Sequence, residues 1–248
     1  MSVERQSLVV TVRSVLEFTA LVAFIVLASL LATKLYRDLT RQAGAVRAGG
    51  RPVPPQAQAL LPSEPVSIAG AALKGNRAAK VAILEFSDFE CPYCGRFARS
   101  TLRELERRYI ATGRVLFAYV HFPLASLHRN AHGAAAAALC ASDEGRFWEM
   151  HDRLFAGRVD LGGESLRDHA SALRLDSERF DACRTSRETA GRIQRDIDMG
   201  LQLGVTGTPT FFVGLMEGEN QVRLVARVIG GQALAGFERV LNGLLEGE

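Results

Sequence analysis

The stretch Val81 to Gly95 reads VAILEFSDFECPYCG, and the rest of the chain takes its place from it. Val81, Ala82, Ile83, Leu84 and Phe86 form a short apolar run rich in β-formers, ended by Ser87 and Asp88, the pattern of a strand buried on both faces. Only Glu85 interrupts it. Beyond Cys94, the residues Phe97, Leu102, Leu105 and Tyr109 recur at helical spacing among Arg96, Arg99, Arg103, Glu104 and Arg108. This predicts an amphipathic helix with Cys91 near its start. A thiol in that position faces unpaired N–H groups and the positive end of the helix dipole, and both favour a thiolate. Two intervening residues let Cys94 reach back to Cys91 on the same turn, and Pro92 suits a first turn, where its missing N–H would have had no partner.

A CxxC taken alone is open to three readings: half of a zinc site, a structural pair, or a redox pair that opens and closes a disulfide by thiolate attack. Cys140 and Cys183 stand singly and far away, and no His follows at finger spacing, which argues against zinc. His128 and His132 are four residues apart but have no acidic ligand beside them, so no metal site is expected. Surface or packing roles are the expectation for them and for His121, His151 and His169. Asp88 and Glu90 are expected to be solvated, their charge opposing a thiolate at Cys91. Glu85 is costly to bury charged. Either its pKa rises and it passes a proton to and from Cys94, or its head group escapes to solvent or a trapped water. Trp148 reads as a core residue of a helical block, with a substrate-groove position as the alternative.

Late in the chain, Gly207, Thr208, Pro209 and Thr210 lead into Phe211, Phe212 and Val213. The strand, a Glu six residues before the first Cys, a CPYC opening a helix and this late Gly-Thr-Pro-Thr together resemble the DsbA-like branch of the thioredoxin superfamily. The resemblance runs from Ala79 to Leu245, about two thirds of the chain. It implies an α/β thioredoxin fold with an inserted helical domain, and a cis Thr208–Pro209 bond in a loop facing the CxxC. It further implies Cys91 as nucleophile, Cys94 as resolving partner and Glu85 as the buried acid beneath them. Pro92, Tyr93, Thr208 and Pro209 become substrate-facing residues, and the redox-active cysteine pair takes the place of a cofactor. The resemblance also implies a second disulfide, between Cys140 and Cys183 in two helices of the insertion. The alternative is two buried thiols packing as small hydrophobes.

At 248 residues and 48% hydrophobic content, the chain can bury one good-sized core plus extra segments. A net charge of +3 and the lack of an arginine-rich block with aromatics give no support to nucleic-acid binding. Residues 1–17 are expected to be a short cytoplasmic segment, and 18–36 an apolar transmembrane signal anchor that precedes the thioredoxin fold. A cleaved signal peptide and a soluble helix remain the other readings of that stretch. Residues 37–75, rich in Ala, Gly and Pro, are expected to be a tether, and 76–248 the DsbA-like domain with its helical insertion at about 127–203. Counting Lys34, Arg37, Arg41 and Arg47 against Arg5 and Arg13 places the C-terminal side in the cytoplasm, but large domains translocate largely regardless of such charges. The expected localisation is therefore a single-pass plasma-membrane protein with its catalytic domain on the extracytoplasmic side, periplasmic or extracellular.

These expectations converge on a monomeric thiol:disulfide oxidoreductase that donates disulfides to unfolded or folding secreted proteins and is recharged by a membrane redox partner. Two alternatives stand beside it. One is a reductase or isomerase fed by a membrane electron donor, because CPYC does not fix the direction of electron flow. The other is a non-catalytic thioredoxin-like binding module whose CPYC is a structural disulfide.

Overall fold

In the computed structural model the described residues are Leu27, 29–34, 61–157 and 159–246. The chain divides into two units, Met1–Pro54 and Pro55–Glu248. In the first, residues 29–34 are helical and exposed, with Thr33 Oγ1 donating to the Ser29 and Leu30 carbonyls. Most of the expected anchor, 18–36, lies outside the described residues. Among the described residues no helix is long and apolar enough to cross a membrane.

The second unit is built on a six-stranded sheet. Its strands are β1 (Val66–Ser67), β2 (Ala72–Lys74), β3 (Val81–Ser87), β4 (Val115–His121), β5 (Thr210–Met216) and β6 (Gln221–Ile229), in the spatial order β1-β6-β5-β3-β4-β2. β3 and β4 run parallel, and every other pairing is antiparallel. The stretch expected as a tether, 37–75, thus ends inside the fold: residues 66–67 and 72–74 close opposite edges of the sheet. Strands of two and three residues carry little periodicity of their own.

All seven residues of β3 are buried, because helices cover both faces of the sheet. One face, with Ala82, Leu84 and Phe86, packs against the long helix that precedes β5. The other, with Val81 and Ile83, packs under Phe97, Leu102, Phe237 and Leu241. Phe97 carries much of this contact, its ring 4.4 Å from that of Phe211 and 5.7 Å from that of Phe237. Burying one such ring contributes roughly 1.5–3 kcal/mol.

The helix expected after the cysteines is broken. α1 (Pro92–Arg99) ends at Ser100, and α2 (Thr101–Leu105) runs on into one π-helical turn, Glu106–Ile110. Ser100 has φ −123° and ψ −76°, and its hydroxyl donates back to the Arg96 carbonyl at 2.7 Å. Thr101 Oγ1 turns instead to the Gln232 carbonyl at 3.0 Å. Such side-chain bonds compete with the helical ladder, and apolar spacing alone does not register them.

Between β4 and β5 lie α3 (Ala131–Asp143), α4 (Phe147–Leu154), α5 (Gly163–Ala172), α6 (Ser177–Arg184) and α7 (Arg187–Gln202), and α8 (Leu234–Leu245) follows β6. The run of alanines from Ala134 to Ala138 in α3 is buried, letting neighbouring helices approach closely. Cys140 of α3 and Cys183 of α6 are joined by a disulfide that closes a 43-residue separation. In the chain-entropy view a loop of that size gains about 4 kcal/mol of stability. Trp148 packs at the junction of the insertion and the sheet, its indole N–H donating to the Leu73 carbonyl at 2.9 Å and Lys74 lying over its ring.

Candidate active site

β3 ends at Ser87, and three residues later the chain turns into α1 with Cys91 as the residue before its first turn. Cys91 has extended backbone angles, makes no side-chain cap, and accepts from the Gly95 N–H at 3.1 Å. Its thiol is therefore left over at the positive end of the helix. Cys94 sits one turn on, and both thiols are free and buried. Pro92 and Tyr93 between them are exposed, Tyr93 at 57%.

The loop before β5 comes up to meet them. The Thr208–Pro209 peptide bond is cis, and Cys91 Sγ lies 3.3 Å from the Thr208 carbonyl oxygen. Thr208 Oγ1 is shielded and has no partner. The carbonyl accepts from Cys91 as a thiol, while the Thr208 hydroxyl can donate to it as a thiolate. That donation is one of the forces that draw Cys91 down from 9.0 to about 5. The largest is the hydrogen bond from Cys94, and the Cys94 and Tyr93 backbone N–H groups add to it against the cost of burial. Cys94 goes the other way, pushed well above 9.0 by burial first, then by its bond to Cys91 and the charge of Glu85. The pair is thus split: one sulfur is poised as thiolate and one is held as thiol.

Beneath them, Glu85 stands opposite Tyr119 of β4 and Phe211 of β5, only 1% exposed. Its head group does not escape to solvent. Oε1 accepts from the Ser87 hydroxyl at 2.9 Å, while Oε2 is buried without a partner. Burial raises its pKa from 4.5 to about 8, with the Ser87 bond opposing and the charge of Cys91 adding to the rise. A carboxyl that titrates there is matched to proton exchange near neutrality.

Two residues that sequence reading placed in solvent belong to this site. The Asp88 side chain is fully buried, and Oδ2 is bonded to His128 Nδ1 and to the Leu124 N–H, both at 2.8 Å. Glu90 is partly buried and accepts from the Asn130 N–H at 2.7 Å. Their partners lie 36 to 40 residues away, so no local pattern marks them. His121 and His151 are buried too, and burial lowers the pKa of both, His121 to about 3. Among the described residues no group of three or more His, Cys, Asp or Glu is placed to hold a metal ion.

A groove of about 290 Å³ opens beside Cys91, lined by Phe89, Pro92 and Gly95 on the active-site side and by Leu154, Phe155 and Gly157 at the end of α4. Arg99 spans it, Nη1 donating to the Phe155 carbonyl at 2.7 Å. The helical insertion thus supplies one wall of the groove beside Cys91.

The family described as thioredoxin matches residues 69–223. The chain is 43% identical over 141 residues to the Na(+)/H(+) antiporter NhaA 3 of Salinispora tropica, a match that takes in 57% of this chain and 21% of that protein. The chain therefore spans about a fifth of the length of that relative. Among solved structures, alpha-DsbA1 of Wolbachia pipientis superposes with a TM-score of 0.63 at 22% identity, over 72% of this chain and 92% of that one. A thioredoxin-like oxidoreductase from Silicibacter pomeroyi does so with a TM-score of 0.60 at 25% identity, over 72% and 94%. With the thioredoxin match extending across more than half of its length, this chain belongs to the thioredoxin family, and it shares its fold with the DsbA-like structures.

Proposed function

We propose that the chain is an extracytoplasmic disulfide donor, anchored to the membrane through residues 18–36 and tethered by the stretch that follows as far as the first strand at Val66, that oxidises unfolded or folding secreted proteins. The observation that carries this is the split between the two thiols. A Cys91 held as thiolate stabilises the reduced pair, and a pair more stable when reduced is a stronger oxidant when closed.

In the oxidised protein a substrate thiolate attacks Cys91 Sγ, and the Cys91–Cys94 bond breaks. Cys94 leaves as a thiolate and takes the proton from Glu85. A second substrate thiolate then attacks the substrate sulfur of the mixed disulfide and expels Cys91, a good leaving group because its thiol is acidic. The substrate has lost two electrons and the cysteine pair has gained them, to be withdrawn by a membrane redox partner. Thr208, Pro209, Pro92 and Tyr93 frame the attacked sulfur and would contact the substrate backbone.

The Cys140–Cys183 disulfide supports an oxidising compartment, since such bonds are rare in the cytosol of most organisms. The likeness to part of a protein named as a Na(+)/H(+) antiporter supports a place beside the membrane. The test is to mix the oxidised chain with a reduced peptide bearing two thiols. Stoichiometric closure of the peptide is expected, and is lost in Cys91→Ser and in Cys94→Ser alike, since neither variant can form the disulfide that takes up the two electrons. Peptide oxidation that is absent or indifferent to Cys91 would overturn the reading.

A further inference from the structure

The loop between β4 and α3 is fastened to the residues that precede Cys91. The Phe122 N–H donates to the Ser87 carbonyl at 2.8 Å, the Leu124 N–H to Asp88 Oδ2 at 2.8 Å, and the Asn130 N–H to Glu90 Oε2 at 2.7 Å. Asp88 is the knot. Its Oδ1 accepts from the Glu90 N–H at 2.8 Å, and its own carbonyl accepts from the Cys91 N–H at 3.1 Å. A fully buried carboxylate needs a compensating charge, and the side chain that meets it is His128 at 2.8 Å. A carboxylate only accepts, so Nδ1 carries a proton in both states of the ring and the titrating proton is the one on Nε2.

We propose that His128 is a positioning residue for Cys91: held by Asp88, its imidazolium offsets the two carboxylates beside the start of α1 and so favours the Cys91 thiolate. This rests on Cys91 being the exchanging thiol. Without that charge, Asp88 and Glu90 would disfavour a thiolate one to three residues away. The groups that face His128 are Asp88 and Glu90 from the β3–α1 loop and Cys91 at the helix start, all of them anionic when ionised. Partial burial lowers the His128 pKa, but the hydrogen bond and charge of Asp88, with the charges of Cys91 and Glu90, outweigh it and raise it above 6.5. The coupling is mutual: a thiolate that stabilises the imidazolium is stabilised by it. Below its pKa His128 supports the thiolate, and as pH rises through that value the support is withdrawn. The reactivity of Cys91 therefore carries a second inflection, above 6.5, that belongs to His128.

The experiment follows the rate of Cys91 alkylation by iodoacetamide against pH in the full reduced chain. His128→Gln is expected to raise the Cys91 midpoint by about half to one pH unit, a threefold to tenfold loss of thiolate below it. His128→Lys, charged throughout, is expected to restore the midpoint and to lack the second inflection. A His128→Gln profile that superimposes on the wild type overturns the proposal, as does a folded His128→Lys that recovers nothing. If neither variant folds, the wild type suffices: the proton NMR titration of the His128 ring should move to lower pH when Cys91 and Cys94 are oxidised, and identical titrations in the two redox states refute the coupling. These readouts involve no protein substrate. Loss of peptide oxidation with an intact His128 effect would therefore fault the donor reading and leave this one standing.

Discussion

At the scale of single residues, Glu85 sets chemistry against stability. Its folded pKa of about 8 lies above an unfolded value near 4.5, so the folded state holds the proton more tightly. Stability is full below about pH 4.5 and is lost as pH rises towards 8, by roughly 3 kcal/mol at pH 7. Glu85→Gln removes the titration while keeping an acceptor for Ser87. Urea unfolding should show the variant close to the wild type at pH 4.5 and more stable by a few kcal/mol at pH 8. Parallel pH profiles would mean that Glu85 is not held protonated. The same variant should slow the step in which Cys94 leaves. The acid was legible in the sequence because it stands alone in an apolar strand. Asp88 was misread because a carboxylate beside a turn is usually solvated, and the imidazole that justifies its burial arrives from a loop 40 residues away.

Elements are positioned by contacts of the same long range. At Gly200, α7 lies close against Phe86 of β3 and Phe122 just beyond β4: an added Cβ would fall 2.5 Å from Phe122 Cε2 and 3.1 Å from Phe86 Cδ1. Both rings sit in the buried cluster on that face of the sheet. Gly200→Ala should therefore destabilise, the overpacking cost of ~1–3 kcal/mol exceeding the gain of ~1 kcal/mol that a helix takes from Ala over Gly. A fall of a few degrees in Tm is expected, and an unchanged or raised Tm would show that the approach is looser than described. The sequence revealed where α7 lies through its apolar periodicity. It did not reveal Gly200 as a contact, since a glycine within a helix carries no mark of what lies opposite. The break at Ser100 escaped for a related reason: Phe97, Leu102, Leu105 and Tyr109 keep to one face across it, so the pattern reads as one continuous helix.

For the whole molecule, a strand feeding CPYC at a helix start and a proline loop returning at Thr208 were enough to read the fold, because both motifs sit at the crossing of β3, α1 and β5. What could not be read was how the insertion encloses the site. It supplies the α4 wall of the groove through Leu154 and Phe155, and the loop that leads into it reaches Asp88 through His128. The hydrogen bonds that hold Cys91 as a thiolate, Cys94's first, make the pair more stable reduced than oxidised. Equilibrating the chain with glutathione buffers and measuring the fraction of Cys91–Cys94 disulfide reads that balance. A potential near the oxidising end of the superfamily, about −120 to −180 mV, is expected. A value of about −230 to −270 mV would contradict it and assign the chain to disulfide reduction.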